Sequence, residues 1–230
     1  MNPADEANSR VPTSAQTGIH EQLAGLLDRH AAAPFRKPYA DYNRAAFDAS
    51  MARRERIAPH APLILDACCG VGESSLALAQ RFPDHYVIGV DQSASRLARQ
   101  SPGKTGQAQP ENLELVRADL VDYWRLMHDA DLHLARHYLL YPNPWPKIGH
   151  LARRWHGHAV FPTVLALGGV LECRSNWKIY TDEFAFAIER LAGRRVAVET
   201  FEPDPPLTPF ERKYWQSGHA LYRVLVELGG

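Results

Sequence analysis

The chain has 230 residues, with 26 Lys and Arg against 26 Asp and Glu, 45% hydrophobic residues and three cysteines. That length suits one folded domain burying about 70% of its unfolded surface, and the composition excludes disordered, collagen-like and disulfide-stapled chains. A net charge of zero argues against an overall basic surface, and no apolar run reaches the roughly 18–20 residues that cross a bilayer.

Met1 to Gln16 is polar throughout, without the apolar stretch of a secretory signal. Two of the cysteines are adjacent (Cys68, Cys69), a spacing that makes neither a disulfide framework nor a zinc site. A reducing, cytoplasmic setting is the expectation. Local charge is less even than the total. Arg29, Arg36, Lys37, Arg44, Arg53, Arg54 and Arg56 face only Asp41, Asp48 and Glu55 across their stretch. Lys147, Arg153 and Arg154 share theirs with His150, His156 and His158 and no acid. By itself, such a cluster reads as a solvated helix face.

Residues 1–17 read as a flexible tail. Ile19, Leu23, Leu26 and Leu27 recur at helical spacing and predict a first helix to about Arg29, broken by the prolines at 34 and 38. A second helix is predicted from Asp41 to about Ile57, so that 18–60 forms a helical extension before a main domain over 61–230. Pro62 to Asp66 is a short, continuously apolar run, as expected for a strand buried on both faces. A turn with Gly70 and Gly72 leads into a helix from Glu73 to Phe82, the strand Tyr86 to Val90 and a helix through Leu97. Ser101 to Pro110 reads as a loop, Asn112 to Arg117 as a third strand and His133 to Leu140 as a fourth. The fourth strand runs into Tyr141-Pro-Asn-Pro-Trp-Pro, where three prolines forbid regular structure. A helix is predicted from about His150 to Leu167, ended by Gly168-Gly169. Strand Val170 to Arg174, a helix capped by Thr181, and strands Val196 to Phe201 and Ala220 to Glu227 complete the chain, the last two separated by a Pro-rich stretch over 203–209. Alternating strands and helices predict an α/β fold with a largely parallel sheet and an antiparallel last strand.

In such sheets, ligands bind at the carboxyl ends of the strands. Asp66-Ala-Cys-Cys-Gly-Val-Gly72 ends the first strand, and Gly70 and Gly72 let backbone approach a ligand closely. Asp91 closes the next strand, at the distance along the chain where a carboxylate accepts ribose hydroxyls. Asp119 follows the third. Gly72 is followed by Glu-Ser-Ser with no third glycine at dinucleotide spacing. An adenosine ligand without a pyrophosphate fits that arrangement.

At this point, the chain resembles the class I S-adenosylmethionine-dependent methyltransferases, which implies a Rossmann-like seven-stranded sheet and S-adenosylmethionine as cofactor. The family pattern has glycine where this chain has Cys68. The acceptor side is more specific. Tyr141-Pro-Asn-Pro-Trp-Pro-Lys147 with His150, Arg153 and Arg154, then Ser175-Asn-Trp-Lys-Ile-Tyr180, then Thr208-Pro-Phe-Glu211 and Gly218 resemble, in order, the motifs of bacterial tRNA (guanine-N7)-methyltransferases.

The resemblance implies tRNA as substrate, with Asp66, Cys68, Gly70, Gly72, Asp91 and Asp119 about the cofactor and Asn143 shared between cofactor and reaction. Lys147, with Asn143, is then the candidate catalytic residue. His150, Arg153, Arg154, Asn176, Tyr180, Thr208, Phe210 and Glu211 fall to the substrate, with Arg153 and Arg154 meeting tRNA phosphates. Trp145 is either a stacking platform or a rim tryptophan. Guanine N7 is an unprotonated acceptor, so its methylation needs orientation rather than a general base.

Two departures stand in the acceptor motifs, Asn143 and Asn176, where the family has Asp. An amide offers one acceptor and a donor that would meet guanine's own donors, a mismatch of about 1–3 kcal/mol when buried. The pair is either ordinary tolerated variation or points to altered recognition of the base, to a different acceptor such as an amino group, or to a catalytically silent tRNA- or cofactor-binding relative. No carboxylate or cysteine accompanies the three histidines, so no metal site is expected. The sequence leaves monomer and homodimer equally open.

Overall fold

A computed structural model describes residues 9–100 and 109–229. The chain falls into two compact units, one made of the segment up to Arg36 with Leu140–Ala166 and Leu171–Leu228, the other of Lys37–Leu139 with Leu167–Val170. Helix α1 (Leu23–Ala32) belongs to the first unit and α2 (Asp41–Ile57) opens the second.

Strands β1 (Leu63–Ala67) and β2 (Tyr86–Asp91) are buried along their whole length, Asp66 and Asp91 included, as their otherwise apolar sequences favour. They pair in parallel, β2 with β3 (Leu113–Arg117) and β1 with β4 (Leu134–Leu140) likewise. Helix α3 (Glu73–Arg81) returns the chain between β1 and β2. At Gly89 of β2, α3 comes close enough that a Cβ there would lie 2.3 Å from Ser75 Oγ. After the short α4 (Ala94–Leu97), the chain reaches β3 and then α5 (Leu120–Asp129), a helix that the sequence pattern does not announce. It buries Leu120, Tyr123, Trp124 and Met127, one face at helical spacing, and Asp119 caps it by accepting from Val121 N–H. Taking the cap residue for a ligand contact hides the helix. The predicted loop over 101–110 lies, except for Gln109 and Pro110, outside the described residues.

In the other unit, α1 buries Leu23 and Leu27 and begins later than predicted, leaving Ile19 exposed. The helix predicted over His150 to Leu167 is broken into 3-10 turns at Ile148–Arg153 and Trp155–Gly157 and a short α6 (Phe161–Ala166). Gly157 explains part of this, because a Cβ there would lie 2.3 Å from the Leu151 carbonyl, so the chain folds back tightly on itself. After β5 (Gly169–Ser175), α7 (Lys178–Ala192) starts before Thr181, whose Oγ1 donates back to the Lys178 carbonyl rather than capping. Strands β6 (Val198–Phe201) and β7 (Leu221–Leu228) are antiparallel, as predicted. Between them stands a second unannounced helix, α8 (Pro209–Gln216), with proline in its first turn and Thr208 Oγ1 accepting from Glu211 N–H. The seven strands form one sheet in the order β3-β2-β1-β4-β5-β7-β6. No helix among the described residues is long and apolar enough to cross a membrane.

Residues 9–17, part of the predicted tail, make several bonds: Ser9 N–H to Ser217 Oγ, Ser14 Oγ to the Pro146 carbonyl, and Gln16 to Glu183 and Arg154. Residues 1–8 lie outside the described part of the chain.

Candidate functional site

The first group of site residues lies at the carboxyl ends of β1 to β3. Cys68, Gly70 and Gly72 all adopt the left-handed backbone region, with φ of +61°, +62° and +82°. An L-residue there is strained by roughly 1–2 kcal/mol, so Cys68 keeps the backbone form of the glycine that the resemblance calls for. A Cβ built on Gly70 meets nothing within 4 Å, so open space lies beside the turn.

Asp66 is buried beneath it and accepts hydrogen bonds from Ser74 Oγ and Ser75 Oγ, both through Oδ2 at 2.6 Å. Its Oδ1 is buried with no hydrogen-bond partner among the described residues. Burial, only partly offset by the two serines, pushes this carboxyl up to about 6. Asp91 accepts from Ser93 N–H through Oδ1 and from Gly70 N–H through Oδ2, and the Arg96 guanidinium lies 3.2 Å from the same Oδ2. A carboxylate has about four lone-pair positions, so these three donors leave it little acceptor capacity unless half-exposed Arg96 withdraws. Asp119 spends Oδ1 on its helix cap, and its N–H donates to Asn43 Oδ1.

These residues fit S-adenosylmethionine. The orphaned Oδ1 of Asp66 is an acceptor awaiting a donor or cation, the cofactor carries both ammonium and sulfonium charge, and the strained turn beside it leaves room. Buried unpartnered acceptors are uncommon and call for an explanation of this kind.

The second group lies after β4 and β5. Tyr141 and Trp145, with φ of +53° and +45°, are two left-handed non-glycine residues bracketing Asn143. Such strain persists only where surrounding contacts hold it, and it clusters at functional sites. The contacts are identifiable. Tyr141 Oη donates to Glu211 Oε1 at 2.9 Å, and Arg174 Nη1 donates to both Glu211 oxygens at 2.9 and 3.2 Å while its Nε donates to Glu172. Leu207 N–H takes the remaining place on Glu211 Oε2 at 2.7 Å. Burial, reinforced by the charge of Glu211, pushes the Tyr141 phenol far up, so it stays a donor.

At the other end of the loop, Arg154 donates through Nε to the Trp145 carbonyl, through Nη1 to Glu183 and through Nη2 to Gln16 Oε1. Its guanidinium also lies over the Trp177 ring. Glu183 further accepts from the His156 imidazole and from His20 N–H. Burial would raise the Glu183 carboxyl, but His156 and Arg154 outweigh it and hold it down to about 2.

This arrangement turns inward three residues that the resemblance assigns to substrate and gives a fourth, Thr208, to a helix cap. Arg154, Tyr180 and Glu211 are fully buried, and Thr208 is a helix cap, 7% exposed. Arg154 braces the loop from inside and cannot meet phosphate, Tyr180 packs against His156 and Phe184, and Glu211 gathers four hydrogen bonds from Tyr141, Arg174 and Leu207. Chemistry-bearing residue types in a motif give no sign of which side they face; the partners that their polar atoms find in the folded chain decide it.

What remains outward is compact. Asn143, Lys147 and Arg153 are exposed. The Arg153 guanidinium lies 4.9 Å from the Trp145 ring centre, and His150 stands edge-on to the same ring. Partial burial and then the cations Arg153 and Lys147 hold His150 below its ordinary value, so this patch is a positive one containing a neutral imidazole. Asn143 Oδ1 accepts from Trp145 N–H at 3.2 Å, an Asx turn in an exposed side chain whose amide nitrogen has no hydrogen bond among the described residues. Phe210 is half exposed and stacks on Tyr214. Asn176, 6% exposed, places its amide nitrogen 3.1 Å from His219 Nδ1. His219 is a partner of Asn176 that the motifs miss; only Gly218 beside it belongs to one, and a lone histidine before a strand carries no signal of its own.

A family described as "Putative methyltransferase" matches residues 60–224. The tRNA (guanine-N(7)-)-methyltransferase of Acinetobacter baylyi is 29% identical over 175 residues, 71% of this chain and 69% of the relative. The protein of the same description from Brevibacillus brevis is 30% identical over 182 residues, 74% of this chain and 83% of the relative. Among solved structures, the 16S rRNA methyltransferase KamB superposes with a TM-score of 0.55 at 18% identity, over 84% of this chain and 96% of that one, a likeness of fold.

Proposed function

This chain belongs to the methyltransferase family matched over residues 60–224, and we propose that within it the protein methylates N7 of a guanine in tRNA. It is an S-adenosylmethionine-dependent methyltransferase. The cofactor supplies a methyl group on a sulfonium, an electrophile that a lone pair displaces directly. We assign Asp66, Cys68, Gly70, Gly72, Asp91 and Asp119 to holding it, with 61–230 as the catalytic domain and 18–60 as a helical extension.

The observation that carries the acceptor assignment is the alignment with relatives described as tRNA (guanine-N7)-methyltransferases, which spans more than two thirds of both chains. The exposed group supports it. Trp145, with Arg153 over it and Lys147 beside it, combines a stacking surface with phosphate-binding cations, the pairing that suits an unstacked base on its backbone. N7 bears a free lone pair, so Asn143 and Lys147 act by holding the base in line rather than by moving a proton. Guanine presents N7 and O6 as neighbouring acceptors. The amide nitrogen of Asn143 is a donor for O6. Asn176 takes the opposite edge of the base.

The test incubates purified protein with S-adenosylmethionine and unmodified tRNA and analyses the nucleoside digest. N7-methylguanosine is expected. Labelled methyl in a different nucleoside would replace the acceptor, and cofactor binding without transfer to any RNA would refute the assignment.

A further inference from the structure

Resting on the reading of Asn176 as a contact to the guanine edge, we infer that His219 is a positioning residue that fixes base specificity by orienting the Asn176 amide.

An amide at 176 has two ends of opposite character, one acceptor and one double donor, and nothing in its own structure says which faces the base. Guanine's N1–H and N2 amino groups are donors and need the oxygen. The surroundings make the choice. The Asn176 amide nitrogen lies 3.1 Å from His219 Nδ1, and His219 Nε2 lies 2.9 Å from the Ser9 carbonyl oxygen. A carbonyl oxygen only accepts, so Nε2 carries the ring hydrogen. With its hydrogen on Nε2, the ring has a lone pair on Nδ1, and that lone pair takes the hydrogen from the Asn176 amide nitrogen.

Turning the amide over would set its oxygen against that lone pair, a repulsive contact. The ring itself is held, stacked on Tyr214 with ring centres 5.4 Å apart and planes 9° from parallel. The result is that Nδ2 is sequestered and Oδ1 is left over. No hydrogen bond reaches Oδ1 among the described residues, and it is not sealed from solvent. The amide thus presents to the base only its acceptor, the part of a carboxylate that guanine uses. Asn176 is nearly buried, so the discrimination is made where water competes poorly.

The experiment compares methyl transfer to two tRNAs that differ at the methylated nucleotide alone, guanine in one and inosine, which lacks the N2 amino group, in the other. Wild-type protein is expected to favour guanine by about tenfold or more, as for a lost bond to a buried acceptor. His219→Phe keeps a ring on Tyr214 but removes the Nδ1 acceptor, freeing the amide to turn. The guanine-to-inosine ratio of kcat/KM should then fall toward one, mainly through loss on guanine, while His219→Gln, which retains an acceptor, should keep most of it. Nitrogen-15 NMR of labelled wild-type protein should show His219 as the Nε2–H tautomer. An unchanged ratio in a folded His219→Phe protein, or an Nδ1–H tautomer, overturns the role of His219. Wild-type protein that makes no N7-methylguanosine on the guanine tRNA refutes the proposed function instead, and the tautomer measurement still decides the orientation of the amide.

Discussion

Glu211 offers the sharpest contrast between a residue that touches substrate and one that builds the site. It is fully buried, and its two oxygens receive Tyr141 Oη, Arg174 Nη1 (at both oxygens) and Leu207 N–H. Glu211→Ala removes all of these at once. Arg174 keeps Glu172, but a buried cation that has lost one of two anions, with a phenol and an amide also left without acceptors, costs about 3–5 kcal/mol. Glu211→Gln keeps one oxygen for Leu207 N–H and turns an amino group toward the phenol, which can accept, so its cost should be nearer about 2 kcal/mol. For a chain of this size, about 1 kcal/mol moves Tm by roughly 2–4 °C. Scanning calorimetry should therefore show Glu211→Ala melting roughly 10 °C low and Glu211→Gln about half as far. A double-mutant cycle with Tyr141→Phe should give a coupling of about 1 kcal/mol. Variants with wild-type Tm whose only defect is a raised KM for tRNA would refute this account and return Glu211 to the substrate.

Three further expectations concern charge and backbone. The native Asp66 carboxyl, raised by burial to about 6, binds a proton that the unfolded chain has already released above its ordinary value of 3.8. Stability of the cofactor-free protein should thus fall as pH rises through that window, by up to about 3 kcal/mol for the two-unit difference. Urea unfolding from pH 4 to 7 should show the decline and Asp66→Asn should flatten it; an equal slope in both proteins would refute the assignment. Cys68→Gly relieves a φ of +61° at some entropic cost, so a net gain of about 0.5–1 kcal/mol in urea unfolding is expected, and a loss would mean that the side chain's packing outweighs the strain. Arg153→Ala should lower the salt slope of tRNA binding by about 1 without changing Tm. Arg154→Ala should leave the slope alone and destabilise by about 3–5 kcal/mol, since it removes the guanidinium paired with buried Glu183 and leaves that carboxylate only its bonds to His156, Gln16 and His20 N–H; a reduced slope in a stable Arg154→Ala protein would place that side chain at the RNA.

The local order of the fold is legible in the sequence because its signals are local. The short apolar runs at Pro62–Asp66 and Tyr86–Val90 fit strands buried on both faces, as β1 and β2 are, and the glycine turn with Asp66 and Asp91 at successive strand ends marks a nucleoside-binding sheet from residue types alone. The motifs from Tyr141 to Glu211 likewise carry the family. Two helices escape such a reading because their capping residues, Asp119 and Thr208, double as plausible ligand contacts; a side chain that accepts from a helix N–H and one that accepts from a ligand are the same in sequence. What only the tertiary structure decided is which way each motif residue faces. Arg153 and Arg154 are neighbours of identical chemistry, yet one lies over Trp145 in solvent and the other is sealed against Glu183. The orientation of the Asn176 amide is likewise settled by His219, 43 residues further along, and by Ser9 near the start of the chain. Hydrogen-bond direction is a property of the partner as much as of the residue, and partners distant in sequence meet only in the folded chain.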